Sequence, residues 1–342
     1  MKRSTRIGLG LLVAAFWLLT LVPPTAAEKI KFCSSWIIYG RDAFIVSGVK
    51  NGAWKSEGID LNFVRGFGSG NSLKFAAAGK CDYAEAGAGP GAMARIRGLK
   101  AKMFMMKSAK FLETSYYFSD AGIKTWKDLE GKTITGGPKT SSDILMWPPF
   151  AKVHGIDTSK VKVLYMSPGT KAAAFGAGSV DMVISYHSSI AGYQKAAKQK
   201  GKKLVVKLWA ENGMDIYNSG LVSSEKRLAT QKDVTLRFLR GYYKSLAWGF
   251  KNREAAAAIY IKAHPATTSA IVLQAQRISF RHLFDKNTHK IGVGRMDRQK
   301  MNKTIKIVLA ASGIKKKLDP SELYTNEFVD RVPKSLRFFH IR

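Results

Sequence analysis

Apolar and polar positions along the first hundred residues follow two alternating patterns, which predict strands and helices in turn. Short runs with apolar residues at every second position predict strands, and runs with apolar residues three or four positions apart predict helices. In chain order, the predicted elements are a strand at 29–34, a helix at 42–55, a strand at 59–64, a helix at 71–78 and a strand at 81–87. This alternation is typical of a parallel sheet with helices on its faces.

The alternation returns after residue 125 and is then followed by a helical region. From residue 232, Val234, Phe238, Tyr242 and Leu246 recur every four positions, which predicts a long helix. The other predicted elements are strands at 133–135, 161–165, 180–185 and 203–208, and helices at 143–154, 171–177, 254–262, 267–280 and 298–311. The chain therefore contains two α/β units in series and a helical C-terminal segment.

No flexible linker separates the two α/β units, so we expect the chain to cross between them in strands, at 113–119 and 215–222. The predicted first lobe consists of residues 28–118 and 219–342, and the predicted second lobe of residues 119–218.

The start of the chain has the pattern of a cleavable export signal. Lys2 and two arginines form a positive segment without acidic residues, and residues 7–22 are apolar but fewer than the roughly 20 that span a bilayer as a helix. Two prolines and small residues up to Ala27 follow, which predicts a signal peptide over 1–27 that is cleaved near Ala27, with an uncleaved anchor as the alternative. Because no cysteine at the cut could carry a lipid, we expect a free periplasmic protein.

The net charge of the chain is unusually positive. Its 56 Lys and Arg against 24 Asp and Glu give +32, and +29 remains once the three basic residues of the export segment are removed. Such a field attracts anions and polyanionic surfaces. The basic residues are spread along the chain, however, which is typical of a solvated surface, and export argues against a nucleic-acid partner.

The two cysteines, Cys33 and Cys81, could form a disulfide in an exported protein. Each also has the character of a small buried apolar residue in its own predicted strand, and this interpretation of two separate thiols is the one we favour. The six histidines show no metal-ligand spacing, so no metal or other cofactor is expected.

Several short motifs resemble those of one family in order and spacing. They are Trp36 before a predicted helix, NGAWKSEGIDL at 51–61, GSG at 68–70, AGKCDY at 78–83, DLEGK at 128–132 and GSVDM at 178–182. Together they resemble the SsuA/THI5-like (NMT1-type) solute-binding proteins of ABC importers over roughly residues 29–225. The resemblance implies an α/β fold of the type II periplasmic binding protein class, in which two lobes joined by two crossing strands close over a ligand in a central cleft.

Candidate ligand-binding residues of the first lobe follow its predicted strands, because ligands of open α/β sheets bind beyond the carboxyl ends of the strands. Aromatic rings after the first strand could stack on a planar ligand or pack under the first helix. The glycine-rich turn lets a ligand approach the backbone, and Ser69 could cap the next helix or donate to an anion. The candidates are Trp36, Tyr39, Gly68, Ser69, Gly70, Asn71 and Gly89.

The second lobe has candidates in corresponding positions. Three hydroxyls at a predicted helix start would suit an oxyanion such as sulfonate, carboxylate or phosphate, with helix capping and solvation as the alternative. Two residues after the strand at 180–185 should face the cleft, although a single histidine is more often structural. A further candidate lies in the return crossing. These residues are Thr140, Ser141, Ser142, Tyr186, His187 and Asn218.

The expected function is capture of a small organic anion or heteroaromatic, of the sulfonate, taurine, nitrate or pyrimidine-precursor type, and its delivery to an ABC permease. The resemblance implies a monomeric binder without catalytic residues. Two alternatives stay open: an enzyme similar to thiamine-pyrimidine synthases on the same fold, and a basic exported protein that binds polyanions. The enzymatic branch has a CCCFC motif that this chain lacks, which favours a binding protein.

Overall fold

Within residues 27–339, ten strands and sixteen α-helices form two sheets with helices packed around them. The computed structural model describes residues 27–339, so the predicted export signal lies outside the described residues apart from its last position. The strands are β1 Glu28–Cys33, β2 Ile59–Val64, β3 Tyr83–Gly87, β4 Ala101–Met106, β5 Glu113–Phe118, β6 Thr133–Gly136, β7 Lys162–Tyr165, β8 Met182–Tyr186, β9 Leu204–Leu208 and β10 Ser219–Ser224.

The helices lie between the strands in both sheets and dominate the chain after β10. They are α1 Ala43–Lys50, α2 Ser69–Ala77, α3 Ala88–Ile96, α4 Ser142–Leu145, α5 Trp147–Val153, α6 Pro168–Ala177, α7 Ile190–Gln199, α8 Glu225–Thr230, α9 Lys232–Lys251, α10 Arg253–Ala263, α11 Ser269–Arg281, α12 Thr288–Ile291, α13 Arg298–Ala311, α14 Pro320–Leu323, α15 Glu327–Asp330 and α16 Lys334–Arg337.

The two sheets have the same topology. The first has the strand order β2-β1-β3-β10-β4 and the second the order β7-β6-β8-β5-β9. In the first sheet β1 is parallel to β2 and β3, and β10 is antiparallel to its neighbours. In the second, β6 is parallel to β7 and β8, and β5 is antiparallel to its neighbours. The predicted α/β fold with two lobes is confirmed.

The chain changes sheets at 107–112 and at 209–218, slightly before the predicted positions. Strand β5, which the predicted boundary at residue 118 assigned to the first lobe, pairs within the second sheet, and β10 lies wholly in the first. The two crossings touch, because the Asn218 amide donates to the Ser108 carbonyl at 3.2 Å, and the amides of Lys107 and Ser108 both donate to the carbonyl of Ser219, the first residue of β10, at 2.9 Å. The crossings are therefore the loops before these strands, because each strand satisfies its backbone hydrogen bonds in the sheet it has entered.

Some elements differ from the predicted pattern for local reasons. The helix expected at 143–154 is divided into α4 and α5 around Met146, since Pro148 and Pro149 provide no amide hydrogen to continue α4. Strand β4 and helix α3 were not predicted. The run that forms β4 is almost continuously apolar, a pattern that does not distinguish a buried strand from a helix.

Helix α9 organises the core of the first lobe. All four of its periodic apolar residues are buried, as the sequence predicts. Phe238 stacks on Tyr83 of the first sheet with ring centroids 4.1 Å apart, and the Trp54 indole donates to the Phe238 carbonyl at 3.0 Å. Helix α13 packs against both α3 and α5, so the C-terminal helices contact both lobes.

A disulfide joins Cys33 to Cys81, with their Cα atoms 6.0 Å apart. The expectation of two separate thiols is therefore wrong. The pattern of a single segment does not show its spatial neighbours, whereas the pairing of β1 with β3 places Cys33 opposite Ala84 and so close to Cys81. Both residues are buried, at 4% and 2% exposure.

The double variant Cys33→Ser/Cys81→Ser is expected to lose about 2–4 kcal/mol of unfolding free energy, because the bridge restricts a long loop of the unfolded chain. Urea unfolding monitored by tryptophan fluorescence measures this loss. Reductant should lower the midpoint of the wild type and leave that of the double variant unchanged. Equal wild-type midpoints with and without reductant, under conditions where thiol titration proves reduction, would contradict the assignment.

Candidate functional site

The candidate site lies where loops of the two sheets face each other, beyond the carboxyl ends of β1, β2, β6 and β8. This is the position where open α/β sheets bind ligands. Seven predicted residues line one pocket here, together with Ser35, Asp143, Lys171, Ser185 and Ser189, which were not predicted. The seven are Trp36, Tyr39, Gly68, Ser69, Ser141, Ser142 and Tyr186. Their contact with a ligand stays a prediction.

The two lobes touch directly around this pocket. The Tyr39 hydroxyl lies 2.6 Å from the Ser188 hydroxyl, and the Gly70 amide donates to the Thr140 carbonyl at 2.9 Å. Gly68, at φ +100°, has no room for a side chain, because a Cβ there would lie 2.6 Å from the Thr140 oxygen. The pocket has a volume of about 30 Å³, which is enough for roughly two waters. A larger molecule therefore enters only when the lobes separate.

The other predicted residues lie outside the pocket. Gly70, Asn71 and Thr140 form the contact between lobes, where the Thr140 hydroxyl donates to the Phe67 carbonyl at 2.9 Å and the Asn71 amide lies 3.4 Å from that hydroxyl. Gly89 belongs to α3, where a Cβ would lie 2.3 Å from the Met146 sulfur.

The last two predicted residues have partners of their own near the crossings. His187 Nδ1 lies 3.5 Å from Nε2 of His282, and the Asn218 side-chain amide donates to Glu113 Oε2 at 2.5 Å. Asn218 is 1% exposed, so in this closed arrangement it supports the crossing rather than lining the pocket.

The charged side chains that line the pocket form an ion pair. Lys171 Nζ lies 3.0 Å from Asp143 Oδ2 and donates to the Ile184 carbonyl at 3.0 Å. Burial alone lowers the pKa of Lys171, but the neighbouring carboxylate of Asp143, together with Tyr193 and Tyr39, more than reverses this, and the pKa is raised above its ordinary value. The lysine therefore stays protonated, and its charge is balanced by Asp143.

The hydroxyl groups expected to hold an oxyanion are already engaged. Ser141 Oγ donates to Asp143, and Ser142 Oγ donates to Glu113 Oε1 at 2.6 Å. Asp143 also accepts from the Gly137 amide at 2.9 Å. The protein's own carboxyl groups thus accept from Ser141, Ser142 and the Gly137 amide at this turn.

Glu113 is a buried carboxyl at the start of β5, directly behind the pocket. Burial raises its pKa to about 8, and the hydrogen bond from Ser142 offsets only part of this effect. Glu113 is consequently mostly neutral at pH 7 and adds no net charge to the cleft.

A second, wider cleft lies beside the crossing at 209–218 and contains His187. This cleft has a volume of about 690 Å³, but the residues that line it are mainly charged. Several of these charges pair with each other: Lys300 lies 2.8 Å from Asp285 and 3.3 Å from Asp215. The described residues that line this cleft include no Trp or Tyr ring like those of the first pocket, so we regard the first pocket as the candidate ligand site.

The fold is that of periplasmic solute-binding proteins. The structure is similar to the nitrate-binding protein NrtA of Synechocystis PCC 6803, with a TM-score of 0.69 and 7% identity, covering 91% of each chain. It is also similar to the aliphatic sulphonate-binding protein SsuA of Escherichia coli, with a TM-score of 0.61 and 15% identity, covering 86% of this chain and 91% of SsuA. At these identities the similarity concerns the fold alone.

The chain belongs to the NMT1/THI5-like family, whose model matches residues 42–256. In sequence it is also similar to the riboflavin-binding protein RibY of Chloroflexus aurantiacus, with 25% identity over 242 residues, which are 69% of this chain and 67% of RibY. Within residues 27–339, no helix is long and apolar enough to cross a membrane.

Glu113→Gln is expected to flatten the dependence of stability on pH. Because the pKa of Glu113 is about 8 in the folded state and 4.5 ordinarily, the folded protein retains a proton that the unfolded chain releases. The resulting stability is complete below pH 4.5 and is lost as the pH rises through 8. Urea midpoints at pH 5 to 9 should therefore fall more steeply for the wild type than for E113Q. An exposed control, E254Q, should follow the wild type; parallel curves for E113Q and the wild type would refute the role of Glu113.

Proposed function

We propose that this chain is the periplasmic solute-binding component of an ABC importer, and that its ligand is a small planar heteroaromatic without net charge. Membership of the NMT1/THI5-like family and the binding-protein fold support the carrier role. The observation that supports an uncharged ligand is the ion pair between Lys171 and Asp143 at the pocket.

An oxyanion ligand needs donors or cations that the protein leaves free. Among the described residues that line the pocket, the charged ones are Lys171 and Asp143, and they satisfy each other. A sulfonate or nitrate would add a negative charge that nothing in this lining balances, and burying an uncompensated charge is costly. The net charge of +29 that remains without the export segment contributes little to binding an anion in the pocket, because exposed charges more than about 8 Å away are largely screened at physiological salt.

An uncharged aromatic ring fits the remaining features. Trp36, Tyr39 and Tyr186 all line the pocket and come from both lobes. Stacked or edge-on contacts of such rings with a planar ligand add to the free energy of burying it. The surrounding serines supply hydroxyls that can orient polar ring atoms without adding charge.

The enzymatic alternative has less support. The Lys171 amine donates to Asp143 and the Ser142 hydroxyl donates to Glu113, so these groups are engaged within the protein. The relatives described above are named as binding proteins. A carrier function requires capture and release, which closure and opening of the lobes provide.

Thermal-shift measurements on the mature protein in 150 mM salt test the ligand class. Riboflavin, nicotinamide and thymine represent uncharged heteroaromatics, and taurine, butanesulfonate and nitrate represent anions. We expect stabilisation by at least one heteroaromatic and by none of the anions. Stabilisation by anions alone would overturn the proposed ligand class, and turnover of a heteroaromatic detected by mass spectrometry would overturn the carrier role.

Trp36→Ala is expected to weaken binding of the stabilising heteroaromatic by at least about tenfold, because one stacking ring contributes on the order of 1 kcal/mol beyond its buried area. Isothermal titration calorimetry measures the change. Tyr165→Ala removes a ring that is 49% exposed and lies outside the pocket lining, and it should bind like the wild type. Equal affinities for W36A and the wild type would remove Trp36 from the site.

A further inference from the structure

Behind the ligand pocket lies a second, inner chamber in the first lobe. It is bounded by the turn that contains Arg41, by β3, by the crossing at 107–112 and by helices α1, α9 and α11. Tyr186 lines both spaces and therefore stands between them. The chamber has a volume of about 10 Å³, which is room for about one water in the closed arrangement.

Two buried donors lining this chamber lack partners. Within residues 27–339, Arg41 Nη2 and Ser279 Oγ are buried atoms without a hydrogen bond. Arg41 is 4% exposed, and its other terminal nitrogen donates to the Tyr39 hydroxyl at 3.2 Å. An unmade hydrogen bond at a buried donor costs about 1–3 kcal/mol, so two in one chamber indicate that an acceptor occupies it in the working state.

The charges around the chamber favour an uncharged acceptor. Asp42 lies 3.4 Å from Arg41 Nε and 3.1 Å from Lys107 Nζ, and Lys107 also pairs with Glu85. Two cations are thus matched by two carboxylates. A carbonyl oxygen could accept from Arg41 Nη2 without disturbing this balance, whereas a carboxylate would bring an unpaired buried charge.

The position of Tyr186 connects the chamber to the ligand pocket. Its ring lies over the Arg41 guanidinium, 5.1 Å from Cζ to the ring centroid, and Tyr39 lies 4.6 Å from the same atom. Tyr186 belongs to the second lobe and Arg41 to the first, so separation of the lobes draws the ring away from the guanidinium. The chamber then opens towards the cleft.

We propose that the inner chamber is a subsite of the ligand pocket, in which Arg41 and Ser279 bind an uncharged carbonyl oxygen on the ring of the ligand. This rests on the function proposed above and narrows its ligand class to heteroaromatics with a ring carbonyl. Neither residue belongs to a motif or a strand end that the sequence singles out.

Matched probes that differ in one ring carbonyl test the subsite. Quinazolin-4-one and quinazoline share a planar bicyclic ring, and quinazoline-4-carboxylate carries an anion at the position of the carbonyl. Calorimetry on the full mature protein should give an affinity for quinazolin-4-one about tenfold above that for quinazoline and for the carboxylate, the effect of one hydrogen bond to a buried charged donor.

Two variants and a matched control locate the effect. Arg41→Lys retains the charge but removes Nη2, and Ser279→Ala removes the second donor; each should abolish most of the ratio between the affinities for quinazolin-4-one and quinazoline. Ser245→Ala removes a buried hydroxyl of α9 that donates to the Phe44 carbonyl at 2.6 Å. This control should lower the melting temperature while the preference for quinazolin-4-one remains, which separates loss of stability from loss of the subsite.

The outcomes distinguish the two proposals. Equal affinities for quinazolin-4-one and quinazoline, unchanged in R41K, would mean that the chamber holds only water. This result would overturn the subsite but not the proposed binding of an aromatic ligand in the pocket. Tighter binding of the carboxylate also overturns the subsite. Failure of all three probes together with binding of sulfonates or nitrate overturns the proposed function itself, and failure of all three without such binding overturns the subsite.

Discussion

The pairing of buried charges around Lys107 is the interaction on which the rest of the cleft depends. Lys107 is 6% exposed, at the start of the first crossing, and its ammonium group contacts both Asp42 and Glu85. A buried charge without a partner costs several kcal/mol, so this contact holds the crossing against β3 and the turn before α1. The same turn contains Arg41, and the same crossing shares backbone hydrogen bonds with Ser219. One network therefore positions the crossings and the rear wall of the pocket.

The same constraint separates the charge of the whole protein from the charge of its site. The chain has a large excess of basic residues, yet Lys171 pairs with Asp143 at the pocket, and Arg41 and Lys107 behind it are matched by Asp42 and Glu85. Burial keeps Glu113 mostly neutral at pH 7. The electrostatic effect of exposed lysines extends over about one Debye length in salt, whereas the interactions of the buried ion pairs are screened much less. Net charge is thus informative about the surface and uninformative about the pocket.

Family and fold define the scaffold more closely than the ligand. Proteins named for riboflavin, sulfonate and nitrate binding are similar to this chain, and function in such a fold depends on the few side chains at the strand ends. The side chains that line the pocket in this chain include Trp36, Tyr39 and Tyr186 and the pair formed by Lys171 and Asp143. Lys171 lies on α6, where nothing in its helical pattern distinguishes it from a solvated lysine.

The sequence by itself determined the order of most strands and helices, though not β4 or α3, because periods of two and about four residues follow directly from backbone geometry. It also indicated Trp36, Ser69 and Tyr186 as candidate pocket residues, since they follow predicted strands and the ends of the strands converge in this fold. It did not predict the disulfide, the sheet to which β5 belongs or the unpartnered donor of Arg41. Each of these depends on which segments become neighbours: Cys33 meets Cys81 because β1 pairs with β3, and Arg41 faces a chamber closed by a tyrosine 145 positions further along the chain. Contacts between distant segments are fixed only by tertiary packing, and these contacts decide the chemistry of the cleft.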